Sequence, residues 1–310
     1  MKNKVLLVFI VLIAALAVSV YFIPPVKTSG YKVLVTCNNA ATMRIIVNEN
    51  NWQKWWPGKK TGQSQYIYQG FTYRIDKVLL NGFDATIFNG VDSAKANLQI
   101  EPVSMDSSNF TWTYAGILPA NPVKKLLYYI NGSPFAGNIK SLTSEMKAHF
   151  DQQENVYGMK ISRDKVKDST LVSLKNTFDH YPTTEEVYGM ITASKEYIAK
   201  NGGKQTDLPM LNVNQTGINS YETMIGIPTA VPVPPNDKFI TKRMVLGFIL
   251  TSEIKGGVAA VKDAEQQMNN YVLDHQKLSP AIPFQQLVTD RMQEKDTTKW
   301  ITRLYFPVFY

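Results

Sequence analysis

The sequence predicts an α+β protein in three parts: an N-terminal transmembrane helix, a first domain in which a long helix closes an antiparallel sheet, and a second domain in which one strand-helix-strand-strand unit occurs twice. Three observations predict this. An uncharged apolar run lies near the start, strand-like segments separated by turn dipeptides lead into a long helical pattern, and spacings in the last half of the chain recur at a fixed offset. The boundaries are 1–28 for the anchor, 29–157 for the first domain and 158–310 for the second.

Within residues 1–25, "MKNKVLLVFIVLIAALAVSVYFIPP", positions 5–23 carry no charge, follow Lys2 and Lys4, and stop at Pro24-Pro25. Nineteen helical residues at about 1.5 Å each span roughly 28 Å, close to the hydrocarbon thickness of a bilayer. A cleaved signal peptide is the competing reading, because Ala15-Leu16-Ala17 offers a small-x-small site, but the apolar run continues past it to Ile23. Positive charge ahead of the span, with only Lys27 just behind it, predicts a single-pass membrane protein whose bulk is extracytoplasmic.

The remaining chain has the content of two ordinary cores, with 44% hydrophobic and 19% charged residues over 310. The net charge of +8 is scattered, without a basic run or helix-turn-helix or zinc-finger spacing, so no nucleic-acid partner is expected. Cys37 is alone, which excludes an intrachain disulfide and a cysteine metal cluster. His149, His180 and His275 are far apart, outside any metal spacing, and read as surface residues. There is no Gly-x-Ser-x-Gly elbow. No metal, cofactor or catalytic residue is assigned, and the reading leans away from an enzyme.

In the first domain, residues 32–36 alternate as a strand, 40–47 read as a helix, and "NNWQKWWPG" follows. Strand character recurs over 65–75, 84–88, 94–101 and 109–117, with Asn81-Gly82 and Asn89-Gly90 as hairpin turns. A helical pattern over 123–150 closes the domain, with a break expected between Gly132 and Gly137. Trp55 and Trp56 are adjacent, so at most one is expected to point fully inward. This order, together with Trp52, Trp55, Trp56 and Pro57 in "NWQKWWP", resembles the helix-grip fold of the START/polyketide-cyclase (SRPBCC) superfamily and its early Trp-x-x-Trp segment. The resemblance covers nearly the whole domain and carries no catalytic signature. A long helix across a curved sheet leaves a space for side chains or a ligand, with Tyr68, Tyr73, Trp112 and Tyr114 as candidate lining. Plain core is the alternative use of the same aromatics.

In the second domain, Tyr197-Ile198 and Tyr271-Val272 each stand twelve residues before an apolar-flanked proline, Pro209 and Pro283, at an offset of 74. A further echo, "TMIGIP" at 223–228 and "TRLYFP" at 302–307, has an offset of 79, which five extra loop residues explain. The halves read as 171–178, 185–200, 210–213 and 223–227, then 244–251, 258–275, 284–288 and 302–309. Such halves pair about a pseudo-twofold axis and leave a groove where they meet. "IPTAVPVPPND", 227–237, reads as a stiff extended loop between them. Thr183 to Glu186 mark a helix start and "NGGK", 201–204, a helix stop. Gly256-Gly257 precede a helix whose free N–H groups could hold an anion, but a packing role is the expectation for them.

Pro283, Thr289, Asp290, Asp296, Trp300, Thr302 and Pro307 fit the carboxy-terminal pattern of the GyrI-like small-molecule-binding domain, which is also the effector-binding half of AraC-type and MerR-type regulators; the chain resembles that family over about half its length. The resemblance implies a ligand groove. Where the family commonly has a glutamate, this chain has Gln285, and the nearby aromatic position is Leu287. An amide exchanges hydrogen bonds but can neither neutralise a cation nor take a proton as a base. Groove contacts are expected from Gln285, Leu287, Trp300, Tyr305, Phe248 and Tyr188. The expected function is a membrane-anchored, non-catalytic protein that binds a small, largely apolar molecule. The alternatives are a hydrolase of a reactive or lipid-like substrate, with Glu222 supplying the carboxylate, and a structural envelope protein with closed cavities.

Overall fold

The computed structural model describes residues 20–90 and 92–309, with 11, 14 and 18 in addition. Most of the segment expected to span a membrane therefore lies outside the described residues. Among those described, no helix is long and apolar enough to cross one. The protein is α+β with two antiparallel sheets, and the chain divides into two compact units, 1–156 and 157–310.

The first unit opens with β1 (Val26–Val35), α1 (Asn39–Ile46) and a 3-10 turn (Glu49–Lys54). It continues through β2 (Lys59–Gly62), β3 (Gln65–Tyr68), β4 (Phe71–Leu79), β5 (Gly82–Asn89), β6 (Asp92–Ser104) and β7 (Ser107–Ile117) to α2 (Pro122–Asn131) and α3 (Pro134–Phe150). The sheet order is β1-β7-β6-β5-β4-β3-β2, so a chain of hairpins is closed by its first and last strands. Two expectations are corrected, and a third, the helix break, is met. Residues 26–28, assigned to the anchor, pair with Ile117 to Ala115 as the start of β1. The strand expected over 65–75 is two, β3 and β4, folded at Gln69 and Gly70 with φ of 47° and 82°; glutamine is not a residue that announces such a turn. The helical stretch over 123–150 breaks where expected, because Gly132 (φ 86°) ends α2 and Ser133 caps α3 ahead of Pro134. At the Asn81-Gly82 turn, a Cβ on Gly82 would sit 1.9 Å from the Leu98 carbonyl oxygen, so the strands close only on glycine.

The second unit contains β8 (Ser162–Lys165), β9 (Thr170–Phe178), α5 (Thr184–Lys200), β10 (Met210–Gly217), β11 (Ser220–Thr229), β12 (Phe239–Arg243), β13 (Phe248–Lys255), α6 (Val258–Asp274), β14 (Phe284–Leu287) and β15 (Ile301–Val308), after a short α4 (Gln153–Tyr157). The sheet order, β12-β9-β11-β10-β14-β15-β13-β8, is symmetric about the β10/β14 junction. The registers carry the same symmetry. Met210 pairs with Gly226 and Phe284 with Tyr305, which are the offsets of 74 and 79 read from the sequence. Leu211 pairs with Gln285, its own equivalent, so the axis passes through that pair.

Two edge strands went unread. β8 precedes β9 yet pairs with β13, and β12 precedes β13 yet pairs with β9: the lead strand of each half crosses to the other half. Their registers repeat at an offset of 78, Lys165 against Phe248 and Arg243 against Thr170. The loops behind them exchange equivalent hydrogen bonds, Val166 N to Gly247 O (2.9 Å) and Met244 N to Ser169 O (3.0 Å). Residues 244–247, expected as strand, are one of these loops.

Candidate functional site

Alternation along the strands gives the second sheet two chemically different faces. On one, Leu211, Ile225, Ile227 and Leu287 pack under the helices with Val187, Met190 and Ile191. On the other, two hollows flank the axis, and they are built from equivalent positions. One, of about 310 Å³, is lined by Leu171, Met210, Met224, Gly226, Phe284 and Ile282 among others. Its twin, of about 490 Å³, has Ile249, Phe284, Arg303, Tyr305, Asp207 and Asp164. At the offset of 79, Met224 answers to Arg303 and Gly226 to Tyr305; the repeat has kept the shape twice and changed the chemistry once.

The first hollow is walled almost wholly by carbon and thioether groups. Its polar members are Ser173, Asn212, Lys242 and Arg243: Asn212 donates to the Pro283 carbonyl (2.9 Å), Arg243 is paired with Asp168 (2.6 Å), and Lys242 Nζ lies 3.6 Å from the Met224 sulfur. In the twin, the Tyr305 hydroxyl donates to Gln286 Oε1 (2.9 Å) and its ring stacks on Phe284 at 4.8 Å. Arg303 reaches Glu253 at 3.1 Å.

The residues expected to form one groove do not all share a face. Gln285, Leu287 and Tyr188 lie under the helices, Gln285 and Leu287 both buried. Tyr305 is on the opposite face, in the polar hollow, because its register partner is Thr251, which also lines it. Phe248 sits at the outer end of β13 with the Arg163 guanidinium 4.9 Å from its ring. Glu222, the carboxylate expected to serve hydrolysis, is on the open face, ion-paired to Lys175. Three residues along β11 from Ile225 and five from Ile227, odd separations that put it on the other face, it cannot reach Gln285 through the sheet.

Under the helices, the matched loop of β14 to β15 is a stapled turn. Thr289 Oγ1 accepts from Ile301 N (2.9 Å), Asp296 caps Thr298 (3.0 Å), and Trp300 Nε1 donates to the Glu294 carbonyl (2.8 Å). These bonds turn Arg291 inward, where its guanidinium lies 4.6 Å from the Trp300 ring and Nη2 donates to Thr302 Oγ1 (2.7 Å). Tyr181 stands across this small cleft. Burial first, then the nearby Glu265 carboxylate, pushes its hydroxyl up to about 12, while Gln285 hydrogen-bonds to it and Arg291 opposes the shift. Glu265 itself is raised by burial, with Lys262 pulling it down. Sequence reading missed Tyr181, Glu265 and Arg291; Glu265 was legible as the acid in an inward helical row with Val261, Ala264 and Met268.

In the first unit, Tyr68, Tyr73, Trp112 and Tyr114 are buried. The Tyr73 hydroxyl donates to Asn138 (2.6 Å) and that of Tyr68 to Glu145 (2.6 Å), both on α3. Trp112 meets Phe83 edge-on at 5.4 Å. The space between helix and sheet is thus occupied by rings. Trp55 and Trp56 both point inward, against expectation, because the chain leaves its 3-10 turn at Trp55 and the two rings close on Trp52, at 5.1 and 6.1 Å, and on each other, at 5.7 Å. Of the histidines expected on the surface, His180 is exposed, while His149 and His275 are half-buried; burial lowers the His149 pKa, and His275 stacks on Tyr271 at 3.9 Å.

No family model matches the chain, and no curated protein does. Among solved structures it is similar to the EcmrR C-terminal domain, at 13% identity and a TM-score of 0.42 over 49% of this chain and 98% of that one. It is also similar to a hydrolase from Listeria innocua (9%, 0.37, 49% and 92%) and to SAV2435 bound to tetraphenylphosphonium (16%, 0.32, 49% and 94%).

Proposed function

We propose that this protein is a membrane-anchored receptor for a small, neutral, largely apolar molecule, held without chemistry by a GyrI-like second unit. One observation carries the reading: of two equivalent hollows on the open face, one has Met224 and Gly226 where the other has Arg303 and Tyr305, and it presents mainly methionine, leucine and phenylalanine, with Lys242 and Arg243 as its charged lining. Its volume of about 310 Å³ is in the range of small-ligand sites, and thioethers adapt to irregular apolar shapes. The matched motif at Pro283, Thr289, Asp290, Asp296, Trp300, Thr302 and Pro307 and the symmetric register support the GyrI-like assignment. The order of strands and helices in the first unit supports a helix-grip, SRPBCC-like domain there. Its ring-filled interior favours a structural role for that unit.

The 19-residue apolar run at 5–23 supports the single-pass anchor. So does the face of α2: Val123, Leu127 and Ile130 recur at helical spacing and are 65%, 52% and 68% exposed, while Lys125 donates to the Ile23 carbonyl and Lys27 to that of Tyr129 (2.9 Å). A helix with such a stripe, tied to the end of the span, suits the bilayer surface. Release from membranes by high salt alone would contradict the anchor; extraction only by detergent is expected.

The binding test exploits the repeat. Gly226→Tyr installs the residue that the twin carries, and a Cβ there meets Leu171 and Met210 only at 3.8 Å, so the backbone leaves space for the start of a side chain that points into the hollow. With the full chain in detergent and the neutral fluorophore N-phenyl-1-naphthylamine as probe, wild type binds above the micelle background and Gly226→Tyr loses at least tenfold in affinity. Tyr305→Phe, in the polar hollow, stays within twofold. Equal binding by wild type and Gly226→Tyr sinks the proposal.

A further inference from the structure

The cleft under the helices is a second site, distinct from the open-face hollow, and its chemistry is of the opposite kind to neutral apolar recognition. Arg291 is 7% exposed, yet its Nε has no hydrogen-bond partner. The ionisable groups that act on it are the hydroxyls of Tyr188 and Tyr181, and no carboxylate among the described residues forms an ion pair with it. Burying a guanidinium without an anion is costly, so such a group is normally found paired. The loop spends its capping bonds on holding this one inward.

A second feature faces the same space. Val258, the first residue of the 17-residue α6, lines the cavity beside Arg291. That helix has Gly257 at its N-cap, no side-chain cap hydrogen bond and no acidic residue in its first turn. Its free N–H groups and the positive end of its dipole therefore lack an internal partner. By contrast, α5 is sealed by a full capping box from Thr183 and Glu186. Gln285, an amide, adds no negative charge, and Lys262 lies 4.2 Å from the Tyr181 ring. Two carboxylates act on the tyrosines of this region, Glu265 on Tyr181, with Lys262 opposing its raised pKa, and Asp290 on Tyr188.

From a buried guanidinium that has no anion and an Nε without a hydrogen-bond partner, and the uncapped helix end in the same cavity, we infer that this cleft binds the carboxylate of a small aryl or alkyl acid. The cavity, of about 20 Å³, holds about one water-sized group, so only the oxygen end of a ligand enters it. Tyr188, Leu287 and Val213 supply an apolar wall for the start of the tail. A planar fork of N–H donors matches a carboxylate in two bonds, which no cation could use.

The test uses the full chain in detergent with benzoate as probe and three comparators: benzamide, inorganic phosphate and benzyltrimethylammonium. Benzoate is expected to raise the unfolding midpoint by several degrees at 10 mM and to shift the Arg291 Nε–H resonance, while the comparators do neither. Gln285→Glu, which places a carboxylate beside Tyr181, should weaken benzoate at least tenfold, and Arg291→Lys should weaken it less than Arg291→Met. The wild-type resonance keeps the test valid if the Arg291 variants fail to fold. Benzamide or the quaternary ammonium acting as well as benzoate overturns the inference. So does phosphate, which would make the site a general oxyanion cradle, or an Nε–H signal that benzoate leaves in place.

Discussion

His180 stands between Asp179 (2.6 Å) and Glu186 (3.1 Å), and these two carboxylates raise its pKa above the ordinary value near 6.5. A raised folded pKa means the stabilisation is fully present below the unfolded value and is lost as pH rises through the folded one. An NMR titration should therefore give His180 a midpoint above that of an exposed histidine, and Glu186→Gln should lower it; a midpoint at or below the ordinary value contradicts the pairing. Trp52 is fully buried at the centre of the tryptophan cluster, with its Nε1 donating to the Ile46 carbonyl (2.7 Å). Trp52→Ala should cost about 3–5 kcal/mol in urea unfolding, mostly from the cavity it leaves. The cluster was plain in "NWQKWWP", but adjacency misled about its geometry. Alternation applies to strands, and here the backbone was leaving a 3-10 turn, where neighbouring side chains can both turn inward.

At the scale of elements, helices with chemical punctuation were readable to the residue or nearly so. Thr183 and Glu186 form the capping box, and Asn201 with Gly202 (φ 72°) ends the same helix. Thr183→Ala should therefore cost about 1 kcal/mol and speed amide exchange in the first turn of α5; unchanged exchange would count against the cap. The edge strands were not readable. "SRDK" and "FITKR" are short and charged, as edge strands that resist aggregation tend to be, and charge hides the period-2 signal. Nor was the site beneath the helices. Arg291 looks like a surface residue in a polar loop, and only the bonds of Thr289, Asp296 and Trp300 send it inward. A matched motif marked the loop; what the loop delivers was a three-dimensional fact.

At the scale of the whole second unit, both proposed sites depend on one fold occurring twice about an axis through Leu211 and Gln285. The symmetry places equivalent hollows on the open face, and divergence at Met224/Arg303 and Gly226/Tyr305 gives them different chemistry. Two local spacings, 74 and 79, were enough to reveal the duplication, because they recur in helices and strands that the register then aligns. The exchange of lead strands was invisible, since it concerns which half a strand joins and leaves each half's own order unchanged. Cysteine cross-linking reads this directly. In the full chain, Asp164→Cys/Ile249→Cys and Lys242→Cys/Leu171→Cys, two pairs of direct register partners at equivalent positions, should each cross-link under mild oxidation. Asp164→Cys/Leu171→Cys, which an unexchanged half would bring together, should not. Cross-linking of that last pair, with failure of the first two, would contradict the duplicated, strand-exchanged unit on which the binding account rests.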